Sequence, residues 1–379
     1  MDKVALVGLH DFYSLGSWSG IPCNIREAFE KEFSEVHTFE VKDSEIPFYS
    51  LKNKIKKSQE GLVPDYRRWV LRARSRLVNN YLKKADVDCV FAVHPDAICF
   101  LETDLPLAFT SDATFASILD FYDNFSGLPK ETIDSGNYLW KKSLDNCNFA
   151  VFPSDWACQS SVNTYSVNSN KIKLINYGAN SNANLSHSEI STIIDDRLNN
   201  LDHIQCLFIG VEWDRKGGDK VVELVKKLNL KIRTTLHIVG CEVDESIKSL
   251  DFVEHHGFLN RSIEEENVTF ENLFKRAHFF TMAPTAECYG LVFAEASSYG
   301  LPTITTNVNG VPSVIIEDRN GFTFKPEKYI EGSTDKILSL LEDAKYYKNL
   351  SQEAFNLYHE KLTWSSFAKE VKKAFISSV

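Results

Sequence analysis

The chain has 379 residues, 43% of them hydrophobic and 25% charged, with a formal net charge of −10. Those proportions suit two globular domains of ordinary size, each able to bury a core. The acidic balance argues against general nucleic-acid binding, and no apolar run approaches the roughly 20 residues of a membrane span.

The N-terminus enters a short apolar strand at Val4-Ala5-Leu6-Val7-Gly8, without the basic region and cleavage site of a secretory signal. Eight cysteines, at 23, 89, 99, 147, 158, 206, 241 and 288, are scattered with no Cys-x-x-Cys pair. Metal and disulfide frameworks need clustering, so the cysteines read as small buried hydrophobes in a reducing, cytoplasmic setting. In the first half, strands are expected at Lys3–Val7, Val36–Phe39, Cys89–Val93, Leu107–Thr110, Phe149–Phe152 and Ile172–Ile175. They alternate with helices at Ile21–Glu32, Tyr66–Lys84, Ser135–Asn146 and Asp155–Tyr165. That rhythm predicts a parallel sheet covered on both faces. No Gly-x-Gly-x-x-Gly follows the first strand, which argues against a dinucleotide oxidoreductase.

Charge is unevenly placed. Residues 51–84 hold eleven basic side chains against two acidic ones, a balance of +9 that leaves −19 for the remainder. The part from Tyr66 to Lys84 reads as an amphipathic helix, with Trp69, Leu71, Leu77, Val78, Tyr81 and Leu82 apolar and Arg67, Arg68, Arg72, Arg74 and Arg76 charged. Such a helix either docks on an anionic membrane surface or an anionic acceptor, or packs on the first domain with its charge balanced by acidic neighbours.

Asn and Ser dominate from Asn176 to about residue 190, so 179–200 is expected to be a linker region between a domain at 1–178 and one at 201–360. The rhythm restarts with strands at Gln205–Ile209, Thr235–Val239, Phe252–His255, Phe279–Met282 and Thr303–Thr305. Helices are expected near Asp219–Lys227, Val268–Ala277, Phe293–Tyr299, Asp335–Ala344 and Trp364–Ile376. Sheets of this kind bind ligands beyond the carboxyl ends of their strands.

The densest functional signal is the run from Glu287 to Glu295, two carboxylates separated by seven residues with Gly290 between them. It reads as a loop turning into a helix, where N–H groups around Tyr289, Gly290, Leu291 and Val292 would attract a phosphate. Carboxylates beside an anion site are suited to sugar hydroxyls, and the combination describes a nucleotide-sugar. Lys216, before Gly217-Gly218 at a strand-to-helix turn, is unfavourable against the helix dipole unless a phosphate lies between them.

This pattern resembles the Glu-x7-Glu motif of retaining glycosyltransferases of family 4, which have the GT-B fold. The resemblance continues upstream through Phe208-Ile209-Gly210-Val211-Glu212-Trp213-Asp214-Arg215-Lys216-Gly217-Gly218. Downstream it runs through Gly300-Leu301-Pro302 and Asn309-Gly310-Val311-Pro312 to Asn320-Gly321-Phe322. It implies two Rossmann-like doubly wound domains facing a central cleft, the first on the acceptor side and the second binding nucleotide-sugar. It also implies that residues 361–379 form a helix returning to the first domain. By the same resemblance Lys216, assisted by Arg215, would contact the donor diphosphate. Glu295 would accept from the ribose hydroxyls, Glu287 would contact the transferred sugar, and the loop at Phe258 and Leu259 would border the base. Gly20 would stand in the glycine-bearing first loop.

Two positions depart from the family pattern. Val211 stands where an Arg is usual, and Asp112 falls where many members have a His. Asp112 either holds a sugar or acceptor hydroxyl or caps a helix starting near Ala113. His94 also ends a strand. No Asp-x-Asp flanked by strands and no His/Cys run with ligand spacing is present, so neither metal nor cofactor is expected. The resemblance implies sugar transfer from a nucleotide-sugar to a glycan, lipid-linked or small-molecule acceptor, of the kind that builds bacterial surface polysaccharides and glycoconjugates. The competing readings are a non-catalytic nucleotide-sugar-binding subunit and another GT-B enzyme, such as an epimerase.

Overall fold

The computed structural model describes residues 1–47, 49, 65–181 and 183–378. The chain divides into two compact units, Met1–Tyr177 with Trp364–Val379, and Gly178–Thr363. Among the described residues no helix is long and apolar enough to cross a membrane.

The first unit is built on β1 (Lys3–Gly8), β2 (Glu35–Glu40), β3 (Cys89–Val93), β4 (Leu107–Thr110), β5 (Phe149–Phe152) and β6 (Ile172–Leu174). They form one parallel sheet in the order β2-β1-β3-β4-β5-β6. Val4 to Val7 and Cys89 to Val93 are entirely buried. Successive strand residues point to opposite faces, so both faces of this sheet are covered, as the apolar runs predict. The helix Ile21–Glu32 opens after Gly20, held at φ 76°, with Pro22 in its first turn. It packs on the C-terminal helix Trp364–Ser377, where Phe29 meets Phe367 at 6.4 Å and Lys372 Nζ reaches the Asp2 carboxylate and the Glu32 carbonyl, each at 2.8 Å.

The basic helix runs Arg68–Leu82, and residues 51–64 of the basic segment lie outside the described residues. Its apolar side packs inward, on the first domain. Leu71 and Val78 are buried in the core of the unit, and Leu77, Tyr81 and Leu82 pack against that core. Tyr81 stacks on Phe39 at 4.5 Å. Arg74 is buried as well, and its guanidinium bridges both Asp43 carboxylate oxygens at 2.7 Å. Arg68, Arg72 and Arg76, four residues apart on one face, remain exposed. An interfacial helix needs a free apolar face; here the core takes Leu71, Leu77, Val78, Tyr81 and Leu82, while the stripe of Arg68, Arg72 and Arg76 stays exposed.

The second unit is built on β7 (His203–Ile209), β8 (Arg233–Val239), β9 (Val253–Gly257), β10 (Phe279–Met282), β11 (Thr303–Thr306) and β12 (Gly321–Phe324). All are parallel, in the order β12-β11-β10-β7-β8-β9. Residues 179–200, expected as a linker region, contain the helix His187–Leu198, opened by a capping box between Ser186 and Glu189. Its Arg197 is buried and donates to four carbonyls, those of Phe274, Lys275, Tyr299 and Gly300, at 2.8–3.0 Å. Those carbonyls end the helices Glu264–Arg276 and Leu291–Ser298, where a cation offsets the helix dipoles. The stretch 179–200 is therefore partly structural, and it fixes the helix that carries Glu295.

Candidate functional site

Two loops at the carboxyl ends of β7 and β10 make the site. After β7 the chain turns through Gly210 to Gly217 and enters the helix Gly218–Asn229. Gly217 is required there. Its φ is 70°, and a Cβ would lie 1.9 Å from the Ala283 carbonyl oxygen. The ring of Trp213 covers Gly218, where a Cβ would lie 2.3 Å from it, and its Nε1 donates to Asp219 at 2.9 Å. That contact permits Ala283 N–H to donate to the Lys216 carbonyl at 3.1 Å and Thr285 N–H to the Arg215 carbonyl at 2.9 Å. The two loops are thus laced together by backbone, and Lys216 is set opposite Glu287.

Lys216 Nζ donates to Glu287 Oε2, and Arg215 Nη1 lies 3.5 Å from the same oxygen. Arg215 also donates from Nε to Glu212 at 2.6 Å and from Nη1 to the Ala286 carbonyl at 3.0 Å. Neighbouring side chains on one loop are expected to diverge, yet both cations converge here, because the turn brings them to one buried carboxylate. Glu287 is 7% exposed. The Arg215 guanidinium holds the Glu212 carboxyl below the usual carboxylate range. Two cations and two carboxylates therefore balance within one cluster.

Gly290 opens the helix Leu291–Ser298 at φ 89°, and a Cβ there would lie 2.5 Å from the Phe293 ring. The loop carrying Glu287 is braced from β11 and the turn after it: Thr306 Oγ1 donates to the Pro284 carbonyl at 2.6 Å and Gly310 N–H to the Glu287 carbonyl at 3.1 Å. Glu295, in the second turn of that helix, is 7% exposed. Burial raises its carboxyl above the ordinary range, against the opposing pull of Arg261, whose Nη1 is 3.2 Å from Oε1. Arg261 is seated over the Phe270 ring at 4.9 Å and also donates to the Asn180 carbonyl. Sequence reasoning does not find Arg261, because only the tertiary fold brings it to Glu295. Tyr289 is 2% exposed, so its ring belongs to the core and only its backbone is available. Leu291 and Leu259 are half-buried, while Phe258 and Val211 are 71% and 72% exposed. Asn320 and Gly321 prove structural. The Asn320 amide is buried and bonded to Ser297 and Val314, and a Cβ on Gly321 would lie 2.1 Å from the Thr303 carbonyl oxygen.

In the first unit, Trp18, Ser19 and Gly20 form a left-handed run at φ 40°, 53° and 76° before the helix Ile21–Glu32. Two of these are not glycine, a strain that a surrounding structure must hold. Trp18 stacks on His10 at 5.1 Å and meets His94 edge-on at 6.0 Å, and His94 Nδ1 lies 2.8 Å from Asp96. Burial, with the neighbouring His94, pushes His10 down to about 4. Asp112 is half-buried after β4, but it does not cap the following helix. Thr114 caps Phe115–Ile118 through a box with Ser117, because Asp112 lies two residues too early.

Two parallel six-stranded sheets with flanking helices are the two-domain α/β GT-B fold, and solved glycosyltransferases share it. One from Rickettsia africae superposes with a TM-score of 0.66 at 15% identity, covering 100% of this chain and 98% of that one. The Anabaena protein HepE, solved with UDP and glucose, superposes with a TM-score of 0.63 at 14% identity, covering all of both chains. Within the second unit, residues 189–357 match the family model described as glycosyl transferases group 1, a stretch that includes Lys216, Glu287 and Glu295. The N-acetyl-alpha-D-glucosaminyl L-malate synthase of Bacillus anthracis is 26% identical over 145 residues, 37% of this chain and 36% of that protein. The match spans less than half the length of each curated relative.

Proposed function

We propose that the protein is a retaining glycosyltransferase that takes a hexose-type sugar from a nucleoside-diphosphate donor. The observation that carries this reading is the convergence of Lys216 and Arg215 on Glu287, beside a glycine-opened helix that bears Glu295 one turn further in. Lys216 and Arg215 neutralise the diphosphate, helped by the backbone around Gly290, without a metal ion. Glu295, with Arg261 fixing one of its oxygens, offers an acceptor to the ribose hydroxyls. Glu287 turns to the transferred sugar. Phe258, exposed on the loop after β9, borders the base. In the first unit, the resemblance assigns Gly20, which opens the helix Ile21–Glu32, and Asp112, just after β4, to donor and acceptor binding.

In the transfer step the bond from the anomeric carbon to the phosphate oxygen breaks. A bond from that carbon to the acceptor hydroxyl oxygen forms on the same face. The acceptor proton passes to the leaving phosphate, so charge and atoms balance. The acceptor is a glycan, a lipid-linked sugar or a small molecule, in surface-polysaccharide or glycoconjugate synthesis. A second reading, a nucleotide-sugar-binding subunit without turnover, draws on Val211, which is exposed where the resembling family has an Arg.

A thermal-shift series with UDP, GDP, ADP and CMP tests donor binding, since a ligand of the native state raises its apparent stability. A diphosphate that stabilises the protein, together with slow hydrolysis of the matching nucleotide-sugar, supports the enzyme. Stabilisation without hydrolysis or transfer supports the binding subunit, and no stabilisation by any nucleotide refutes both.

A further inference from the structure

We infer that the second unit carries a site for one divalent transition-metal ion of the zinc class, formed by His237, Glu254 and His256. The site is separate from the Lys216 cluster, and the inference does not rest on the proposed function. Its three residues come from adjacent strands. His237 on β8 pairs directly with Glu254 on the edge strand β9, and residues so paired share a sheet face. Glu254 and His256 are two apart on β9 and so point to that same face. At His256 the register slips, with Ile238 opposite His255 and Val239 opposite Gly257. A bulge of this kind re-aims a side chain. His255 is turned away and bonds through Nε2 to the Cys241 carbonyl at 2.8 Å.

Two of the three separations match those of ligands around a metal. His237 Nδ1 is 3.1 Å from His256 Nε2 and 3.2 Å from Glu254 Oε2. All three ligand atoms lie within 4.8 Å of one another. Ligand atoms about 2.0–2.1 Å from a tetrahedral zinc ion are about 3.3 Å apart. The tautomer of His237 is also set. Its Nε2 bonds to Gln205 Oε1, and an amide oxygen accepts only from N–H, so Nδ1 presents its lone pair to the cluster. An outer partner on the second ring nitrogen is the usual support of a metal-binding histidine.

At present the cation in this place is a side chain. Arg276, the last residue of the helix Glu264–Arg276, puts Nη2 3.4 Å from His237 Nδ1 and 3.6 Å from Glu254 Oε2. Its side chain is 51% exposed, so it can swing into solvent when a metal ion enters. Two imidazoles and one carboxylate suit zinc, copper or nickel and do not suit magnesium.

The test uses the whole protein, freed of metal by chelator and titrated with Zn2+ against a chromogenic competitor. One equivalent is expected to bind, with Mg2+ unable to replace it. His256→Gln and Glu254→Gln, both at partly exposed positions, are each expected to lose at least about tenfold in affinity, and Gln205→Ala about 10–100-fold through the outer shell. Arg276→Gln is expected to bind more tightly. Co2+ in place of zinc should give nitrogen and oxygen ligand-field bands without thiolate charge transfer, which separates this site from the free cysteines. Circular-dichroism melts confirm that the variants fold. No zinc binding by the wild type, undiminished affinity in His256→Gln and Glu254→Gln, or a thiolate band in the cobalt spectrum would overturn the inference.

Discussion

Lys216→Met tests the centre of the site with little change of shape. The lysine stem lies against the Gly210 backbone, close enough that a Cβ on Gly210 would come within 2.9 Å of Lys216 Cγ. Methionine keeps that stem and deletes only the charge. Glu287 then stays buried with Arg215, 3.5 Å from Oε2, as its remaining cation. Removing one partner of a buried pair costs about 3–5 kcal/mol when the other is left alone. Arg215 takes up part of that, so a stability loss of about 1–2 kcal/mol is expected. Loss of one preorganised charge stabiliser should cost about 3–4 kcal/mol in the transition state, or roughly 10²–10³ in turnover. The turnover loss should therefore exceed the stability loss, which a purely structural ion pair would not produce. Urea melts give the first quantity and nucleotide release from the donor gives the second. Adding Arg215→Met should reveal coupling of about 1 kcal/mol, because both cations share Glu287. Wild-type turnover in Lys216→Met, alongside reduced stability, would refute the phosphate role.

Glu295→Gln should weaken nucleotide binding while Glu287→Gln mainly lowers turnover, since only the second contact matters chiefly in the transition state. Calorimetric titration and steady-state rates separate them, and unchanged nucleotide affinity in Glu295→Gln would remove the ribose role. Gly217→Ala should cost about 1–2 kcal/mol for its left-handed φ alone and more for the overlap with the Ala283 carbonyl. It should also lower turnover by unlacing the two loops, and a fully active, stable Gly217→Ala would contradict the packing described. Acid should destabilise the second unit. Burial and the neighbouring Arg197 charge push His278 down from near 6.5 to about 4. Its Nδ1 accepts the Gln205 N–H and its Nε2 donates to the Arg197 carbonyl, each at 3.0 Å. The unfolded chain therefore binds the proton more readily, and stability present above pH 6.5 is lost as pH falls toward 4. The full effect is roughly 3 kcal/mol. Urea melts at several pH values should show a shallower slope in His278→Asn than in the wild type, and equal slopes would refute the assignment.

How much of this was legible in the sequence depends on where each interaction originates. Central strands such as Cys89–Val93 announce themselves as unbroken apolar runs, because both faces are covered. The helices Ile21–Glu32 and Asp155–Tyr165 start and stop where the sequence predicts, at a glycine before a proline and after a capping serine. The helix His187–Leu198 also has a local signal, the capping box of Ser186 and Glu189, but the surrounding Asn and Ser residues mask it. Lys216 and Glu287 are legible through ordered motifs. The convergence of Arg215 on Glu287 is not, because it depends on two loops laced by backbone bonds. Arg261 is a tertiary partner of Glu295 with no local pattern. Likewise His237 and His256 are nineteen residues apart, and only the register of β8 on β9 joins them to Glu254. The apolar face of Arg68–Leu82 was legible as a pattern, but periodicity does not say whether a core or a membrane covers it.

The resting charge balance has a consequence for the proposed reaction. Lys216 and Arg215 are held by Glu287 and Glu212, so the cations are already ordered and partly desolvated before any donor arrives. A diphosphate brings its own negative charge and can replace Glu287 at Lys216 without a large change in local charge. The carboxylate released by that exchange lies next to Gly290, beside the proposed phosphate site, and can accept hydrogen bonds from hydroxyls of the transferred sugar. On the proposed reaction, Glu287 would act first as a placeholder for phosphate and then as a ligand for sugar. The exchange predicts that Glu287→Gln, which leaves Lys216 without its counter-ion, binds the free nucleoside diphosphate more tightly than the wild type while turning over more slowly. Calorimetry with the diphosphate alone measures the first effect, because no sugar is present to lose its contact with Glu287. Weaker diphosphate binding in that variant would mean that Glu287 supports the anion site instead of reserving it.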